Sequence, residues 1–479
     1  MCYIYGLHFK LKQLHLSLSI AHKKMAAGDQ PQAAVLTVKL ISETIITANV
    51  HPKLKPCIFD ISNLDRIMSG IPVLIFYAYR KPSTGDLLSV LNSIKASLSE
   101  ALSHLFPFSG QIVRGSTGDV EILCNNNGVR LVEAYANISL SKLDLYNQNQ
   151  SIRKLMLPVD PKFSLNLQIT SYSCGGFSIS WIFDHLLADA SGFIKFLSAW
   201  CEIARTKKLI STEFNLDRLI LQPRSPLSYN QLVNRNFSVC SMDDILDMPP
   251  DCATERHLYL VKGSTLESLR TSCSKGGSRR TRTEALSAYL WKFMAKTFDK
   301  CNHTRCKMGW AVDGRKRIAG DSERLLNFVG NVVSMAIGEE SIKDLKEGSL
   351  AYIAEIVSRT IGEVANGAHF LDMIDFVESN RPGIMLPNVL VGPWMPAVVV
   401  SSCHNMPVMA MDFGFGLPSV GMFCSALDRL RAGYVSLVSR KRGDGSWLVS
   451  AFIWPCLAKE LELDPDHVFE PITADHLAL

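Results

Sequence analysis

The chain has 479 residues, 47% hydrophobic and 20% charged, with a formal net charge of +5. That length allows two or three domains with large cores, and that balance describes an ordinary soluble globular protein. Much of the excess charge lies in residues 1–25, where Lys10, Lys12, Lys23 and Lys24 meet no acid, and no basic stripe with interleaved aromatics is left to track nucleic acid.

The 13 cysteines are odd in number and contain no C-x-x-C pair, which argues against a disulfide framework and for a reducing, cytoplasmic setting. Cys301, His303 and Cys306 would suit zinc only with a further ligand pair, which does not follow. The first 24 residues lack a clean apolar run and a small-residue cleavage site, so neither a signal peptide nor a membrane span is expected. Met25-Ala26-Ala27-Gly28-Asp29 reads as a natural start, and residues 1–33 are expected to be a disordered extension.

From Val35 to Ile41 a weak alternation predicts a strand. Ser62 and Asp65 have capping-box spacing, and Val73 to Tyr79 reads as a strong strand. Apolar residues at helical spacing from Gly85 to Phe106 predict a helix that ends at Pro107. A hairpin (Gly110–Val113, Val120–Cys124), a strand near Val129–Ala134 and a loop over 144–164 follow. Leu165–Tyr172, a Gly175-Gly176 turn and Phe177–Phe183 predict a second hairpin, which delivers His185 to the start of a helix over Phe193–Arg205.

Prolines among polar residues make 219–250 the expected linker between one domain over 34–218 and another over 251–479. Thr281–Glu284 is a second capping box, opening a helix to about Lys296 with Ala285, Leu286, Tyr289, Leu290, Phe293 and Met294 on one face. A strand at Lys307–Val312, a helix over 349–365 and strands near Ala397–Ser401, Gly433–Ser439 and Trp447–Ile453 complete the pattern.

His185 and Asp189 carry the chemistry. A histidine at a strand end is held rigidly where it can reach out of an α/β layer. The plain alternative is a half-buried histidine ending a strand, with Asp189 as a helix cap. Likewise Asp412-Phe413-Gly414-Phe415-Gly416 is either functional or a glycine turn. It is no kinase triplet, because the phosphate loop, strand lysine and H-R-D loop are missing. Lys275, Arg279, Arg280 and Arg282 surround Gly276-Gly277 before the capped helix. They read either as a phosphate site or as a solvated charge run.

Taken together, His185-Leu186-Leu187-Ala188-Asp189 and the late Asp412–Gly416 resemble the two motifs of the BAHD family of plant acyl-CoA-dependent acyltransferases. Family-like pieces occur in order between and before them: Leu64-Asp65, Phe106–Gly110, Cys124–Val129, Asp313–Arg317 and Asn327–Asn331. The resemblance implies two chloramphenicol-acetyltransferase-like α/β domains, each a mixed β-sheet flanked by helices, with a channel between them. It implies His185 as general base in that channel, and acyl-CoA as co-substrate with no permanently bound cofactor and no metal. It also implies a small alcohol or amine acceptor from plant specialised metabolism, and a monomer.

Hydroxycinnamoyl or another aromatic or aliphatic acyl group is the expected cargo. Asp189 is expected to turn away from the channel and pair with Arg315, or alternatively Arg317. Asp412, Gly414 and Gly416 are expected to form a remote structural turn. Lys275, Arg279, Arg280 and Arg282 are the candidates for the CoA phosphates, and Phe415 and Asn405 for the channel.

Three features depart from the family pattern. Phe415 stands where a tryptophan is usual, and Leu417 where a basic residue is frequent. Asn405 aligns with the arginine by which shikimate-type hydroxycinnamoyltransferases hold a carboxylate, which favours a neutral alcohol or an amine. A non-catalytic binding or accessory protein is the alternative. A carrier-dependent condensation domain is a further one, but Asp184 precedes His185 where that type has a second histidine.

Overall fold

The computed structural model describes residues 35–49, 56–82, 86–240, 253–274, 278–319, 323–392, 394–425, 431–440, 443–477 and 479. The expected N-terminal extension, Lys275 with its glycine pair, and residues 241–250 of the expected linker lie outside them.

The strand Pro72–Tyr79 is apolar along its length because both its faces are buried. Leu74, Phe76 and Ala78 enter a cluster with Ile182, Leu258 and Val420, while Ile75, Tyr77 and Tyr79 enter another with Trp181, Phe193 and Trp200. Its sheet runs Val38–Ile46, Val129–Ala136, Leu165–Tyr172, Phe177–Asp184, Pro72–Tyr79, Val420–Ser425. The second and third of these strands pair in parallel. Helices Leu87–His104 and Ala190–Thr206 pack on one face, tied by Trp200 Nε1 donating to Ser97 Oγ at 2.9 Å.

A second mixed sheet of seven strands runs Val333–Ser341, Arg305–Asp313, Ala397–Ser402, Gly433–Ser439, Trp447–Ile453, Glu255–Val261, Glu470–Pro471. Helix Arg282–Asp299 lies in its core and starts with a capping box. Thr281 Oγ1 accepts from Glu284 N at 3.1 Å, and Glu284 Oε2 accepts from Thr281 N at 2.6 Å. One apolar face understates the burial of this helix. Ala288, Trp291 and Ala295 are covered too, because helices Gly263–Cys273, Leu350–Val364 and Pro455–Glu462 pack around it.

The two sheets are not separated by a single cut in the chain. After Ser402 the chain leaves the second sheet, and the hydroxyls of Tyr77 and Tyr79 donate to Val408 O and Met411 O at 2.8 and 2.9 Å. Val420–Ser425 then adds an edge to the first sheet. That sheet therefore borrows a strand from far beyond the expected 219–250 linker. The fold is α/β, two open mixed sheets flanked by helices.

Among the described residues no helix is long and apolar enough to cross a membrane, and no group of three His, Cys, Asp or Glu could hold a metal. Cys306 is buried in the second core whereas Cys301 is exposed, so the spacing around His303 does not assemble a ligand set.

Candidate active site

The strand Phe177–Asp184 ends where the chain turns towards helix Ala190–Thr206, and this turn is stitched down on both sides of His185. His185 N donates to Ile71 O at 2.9 Å, and the Asp184 carboxylate accepts from Gly70 N at 3.0 Å and Leu186 N at 2.9 Å. Burial pushes the Asp184 carboxyl up to about 6, against the pull of those two N–H groups.

The half-buried imidazole of His185 meets the side chain of Asn331, Nδ1 to Oδ1 at 2.9 Å. The network fixes the amide's orientation. Asn331 Nδ2 faces only acceptors: Asp65 Oδ1 at 2.9 Å, His185 O at 2.9 Å and Leu186 O at 3.3 Å. The oxygen must therefore be the atom that faces the ring, so Nδ1 carries the proton and donates it. Nε2 keeps its lone pair. Burial lowers the imidazole below its usual value, outweighing the charge of Asp189 and the Asn331 contact, so the ring is neutral at pH 7.

Asp65 anchors this arrangement. It is the third helical residue of Asn63–Arg66 and forms the expected capping box with Ser62. The same Oδ1 also accepts from Asn331 N at 2.7 Å, while its other oxygen, fully buried, meets Arg218 Nε at 3.3 Å. The Arg218 guanidinium lies 4.8 Å from the ring centres of both Phe59 and Phe328. Asp65, Arg218 and Asn331 are not among the site residues expected from sequence. The capping box and the Asn327–Asn331 stretch are visible there, but nothing local marks Arg218.

Asp189 does two jobs at once. As the N-cap it accepts from Gly192 N at 2.9 Å, and it takes a bidentate pair from Arg315 at 2.8 and 2.9 Å. Val332 N adds a fourth donor at 3.0 Å. Burial alone would raise this carboxyl, but the Arg315 guanidinium and the N–H donors hold it below its ordinary value. Arg317 instead donates to Asp313 O and does not reach Asp189, whereas Arg315 also meets Asp313 Oδ1 at 3.2 Å. Residues 330–332 thus lie between two carboxylates, Asn331 N on Asp65 and Val332 N on Asp189. Gly192 is needed for that approach, because a Cβ there would lie 3.0 Å from Gly330 N and O.

The Asp412–Gly416 stretch is a self-contained turn. Asp412 Oδ1 accepts from Gly414 N and Gly416 N at 2.7 and 3.0 Å, and both glycines have φ near +100° (101° and 104°), where a side chain is strained. Arg205 Nη1 donates to Asp412 O at 2.6 Å, and Phe413 packs edge-on against Trp200. Phe415 meets Phe177 edge-on at 6.1 Å, at the far end of the strand that leads to His185. Asn405 is exposed and next to Met406 and Pro407, which line a cavity beside helix Ala190–Thr206.

Of the candidate phosphate cations, Arg280 pairs with Glu355 and Arg282 with Glu267, each at 2.5 Å. Arg279 is exposed and has no ion pair among the described residues. At this helix start the capping box takes the backbone N–H groups of Thr281 and Glu284.

The model of the family described as the transferase family matches residues 36–453. The chain is a member of the BAHD acyltransferases. It is therefore an acyl-CoA-dependent acyltransferase, using acyl-CoA as co-substrate. It is 26% identical over 377 residues to an omega-hydroxypalmitate O-feruloyl transferase of Arabidopsis thaliana, covering 75% of this chain and 79% of that one. It is also 26% identical over 371 residues to anthranilate N-benzoyltransferase protein 1 of Dianthus caryophyllus, covering 74% of this chain and 81% of that one. The crystal structure of vinorine synthase superposes with a TM-score of 0.70 at 17% identity, covering 91% of this acyltransferase and all (100%) of that chain.

Proposed function

We propose that this acyltransferase moves a hydroxycinnamoyl or other aromatic or aliphatic acyl group from CoA to a hydroxyl or amine of a small plant metabolite, with His185 as general base. A hydroxyl is too weak an acid to ionise near neutral pH, so its proton must leave as its oxygen attacks the thioester carbonyl. His185 Nε2 takes that proton. The tetrahedral intermediate then expels the CoA sulfur, and the imidazolium returns the proton to the thiolate. No enzyme nucleophile is needed, so transfer is direct within a ternary complex. The CoA phosphates are assigned to the loop of Lys275, Arg279, Arg280 and Arg282, and the channel to the surroundings of Asn405 and Phe415.

The observation that supports this reading is the Asn331 hydrogen bond, which leaves Nε2 as the unprotonated nitrogen. The test is thiol release from a panel of acyl-CoAs with pooled alcohols and amines, wild type beside His185→Ala. Acceptor-dependent release that vanishes in the variant is expected. Release that persists in His185→Ala, or an acyl-protein trapped during turnover, overturns it.

A further inference from the structure

Helix Ala190–Thr206 turns a second face to open space. Ser191, Ile194, Lys195 and Ser198 fall at helical spacing along one side and line a cavity of about 380 Å³. Ser211, Thr212, Glu213, Asn327, Met406 and Pro407 form its other walls. The volume lies in the range of small-molecule sites, roughly 300–1,000 Å³. Three of its walls continue segments that carry candidate site residues: Ser191 follows Asp189, Asn327 precedes Asn331, and Met406 follows Asn405.

The one lysine in this lining is short of partners. Half-buried Lys195 donates through Nζ to the neutral Asn327 Oδ1 at 3.1 Å and makes no ion pair among the described residues. An ammonium has three donors, so two are left over. Ser191 and Ser198 have no side-chain hydrogen bond among the described residues either, whereas Ser211, across the cavity, gives its hydroxyl to Glu202 at 2.8 Å.

The nearby charges do not neutralise Lys195. Glu213 also lines the cavity but is exposed and held one amide away, accepting from Asn327 Nδ2 at 2.9 Å. Arg315 contributes a further positive charge from behind, though Asp189 offsets it. Glu213 acts on Lys195 only at a distance, so the ammonium is left without an ion pair among the described residues, and a ligand anion in the cavity is the group that would pair with it.

We infer that this cavity is an anion subsite in which Lys195, helped by Ser191 and Ser198, holds a carboxylate or phosphate of one of the two substrates. The inference rests on the acyltransferase reading. Lys195 would supply from the helix the positive charge that Asn405 lacks, so an acidic acceptor becomes admissible after all.

Calorimetric titration of wild type, Lys195→Met and Lys195→Arg with two matched pairs tests it. CoA and 3′-dephospho-CoA differ by a phosphate, and anthranilate and anthranilamide differ by a negative charge in the same shape. Wild type should favour the charged member of one pair by about tenfold in Kd, the equivalent of ~1.4 kcal/mol. Lys195→Met should abolish that preference, and Lys195→Arg should keep most of it. A phosphate preference places the CoA 3′-phosphate there instead of at the loop of Lys275, Arg279, Arg280 and Arg282, and a carboxylate preference places the acceptor there. CoA binding with neither preference altered by Lys195→Met overturns the subsite alone. Folded wild type that binds no CoA overturns the acyltransferase reading with it.

Discussion

The two motifs by which this chain resembles its family each hold an aspartate bound to backbone N–H groups, yet the two carboxylates do different work. Asp189 gathers four donors, three of them from Arg315 and Val332, far along the chain. Asp412 accepts from two N–H groups inside its own turn. The first carboxylate joins the turn carrying the base to the segment carrying Asn331, and the second shapes a glycine turn against Trp200 and Phe177. What separates them is burial and reach: the carboxylate sealed from water is matched by a guanidinium far along the chain, whereas the half-buried one is served by its own turn.

The contrast can be tested by substitution. His185→Ala should lower kcat by roughly 100- to 10,000-fold, the span of general-base catalysis, with the thermal transition unmoved. Asp189→Asn should cost about 3–5 kcal/mol of stability in urea titration, because it leaves the buried Arg315 guanidinium with only the partly exposed Asp313 carboxylate, at 3.2 Å, as counter-ion. A well-folded, inactive Asp189→Asn protein with an unmoved His185 would make that residue chemical instead of structural.

Asn331→Ala should reduce kcat roughly 10- to 100-fold with KM for acyl-CoA retained, since the ring loses the contact that sets its tautomer. Asp412→Ala should cost only about 1 kcal/mol, because water can reach the exposed N–H groups it leaves. Equal losses for Asp189→Asn and Asp412→Ala would erase the distinction between the two turns.

The smallest effect is in the pH profile. His185 is lowered by burial, so kcat/KM should rise with pH to a plateau through a midpoint below about 6.5. Asp184, raised to about 6, titrates in the same window with the opposite linkage: its protonated form is favoured by the fold, so its ionisation costs stability as pH rises through that value. Asp184→Asn separates the two. The acidic limb should persist in that variant if His185 carries it.

Much of this arrangement is legible in the residues themselves. The apolar run of Phe177–Asp184 and the small polar break after it place His185 at a strand end, and Ser62–Asp65 and Thr281–Glu284 announce their helix starts because caps are local chemistry. Strand Val333–Ser341 is not among the expected elements, since Ser334 and Gly338 occupy inward positions and blunt its alternation. Helix Gly263–Cys273 is missing from them because serines, threonines and charges dilute its apolar face.

By itself, then, the sequence determined the local elements, the caps and the histidine at the strand end, because these depend on periodicities and hydrogen bonds spanning a few residues. Tertiary structure alone decided that Asp65 and Arg218 brace Asn331, that Asn331 sets the imidazole's proton, and that Val420–Ser425 forms an edge of the first sheet. Those outcomes join residues more than a hundred positions apart, and no short-range pattern encodes which distant donor will satisfy a buried acceptor.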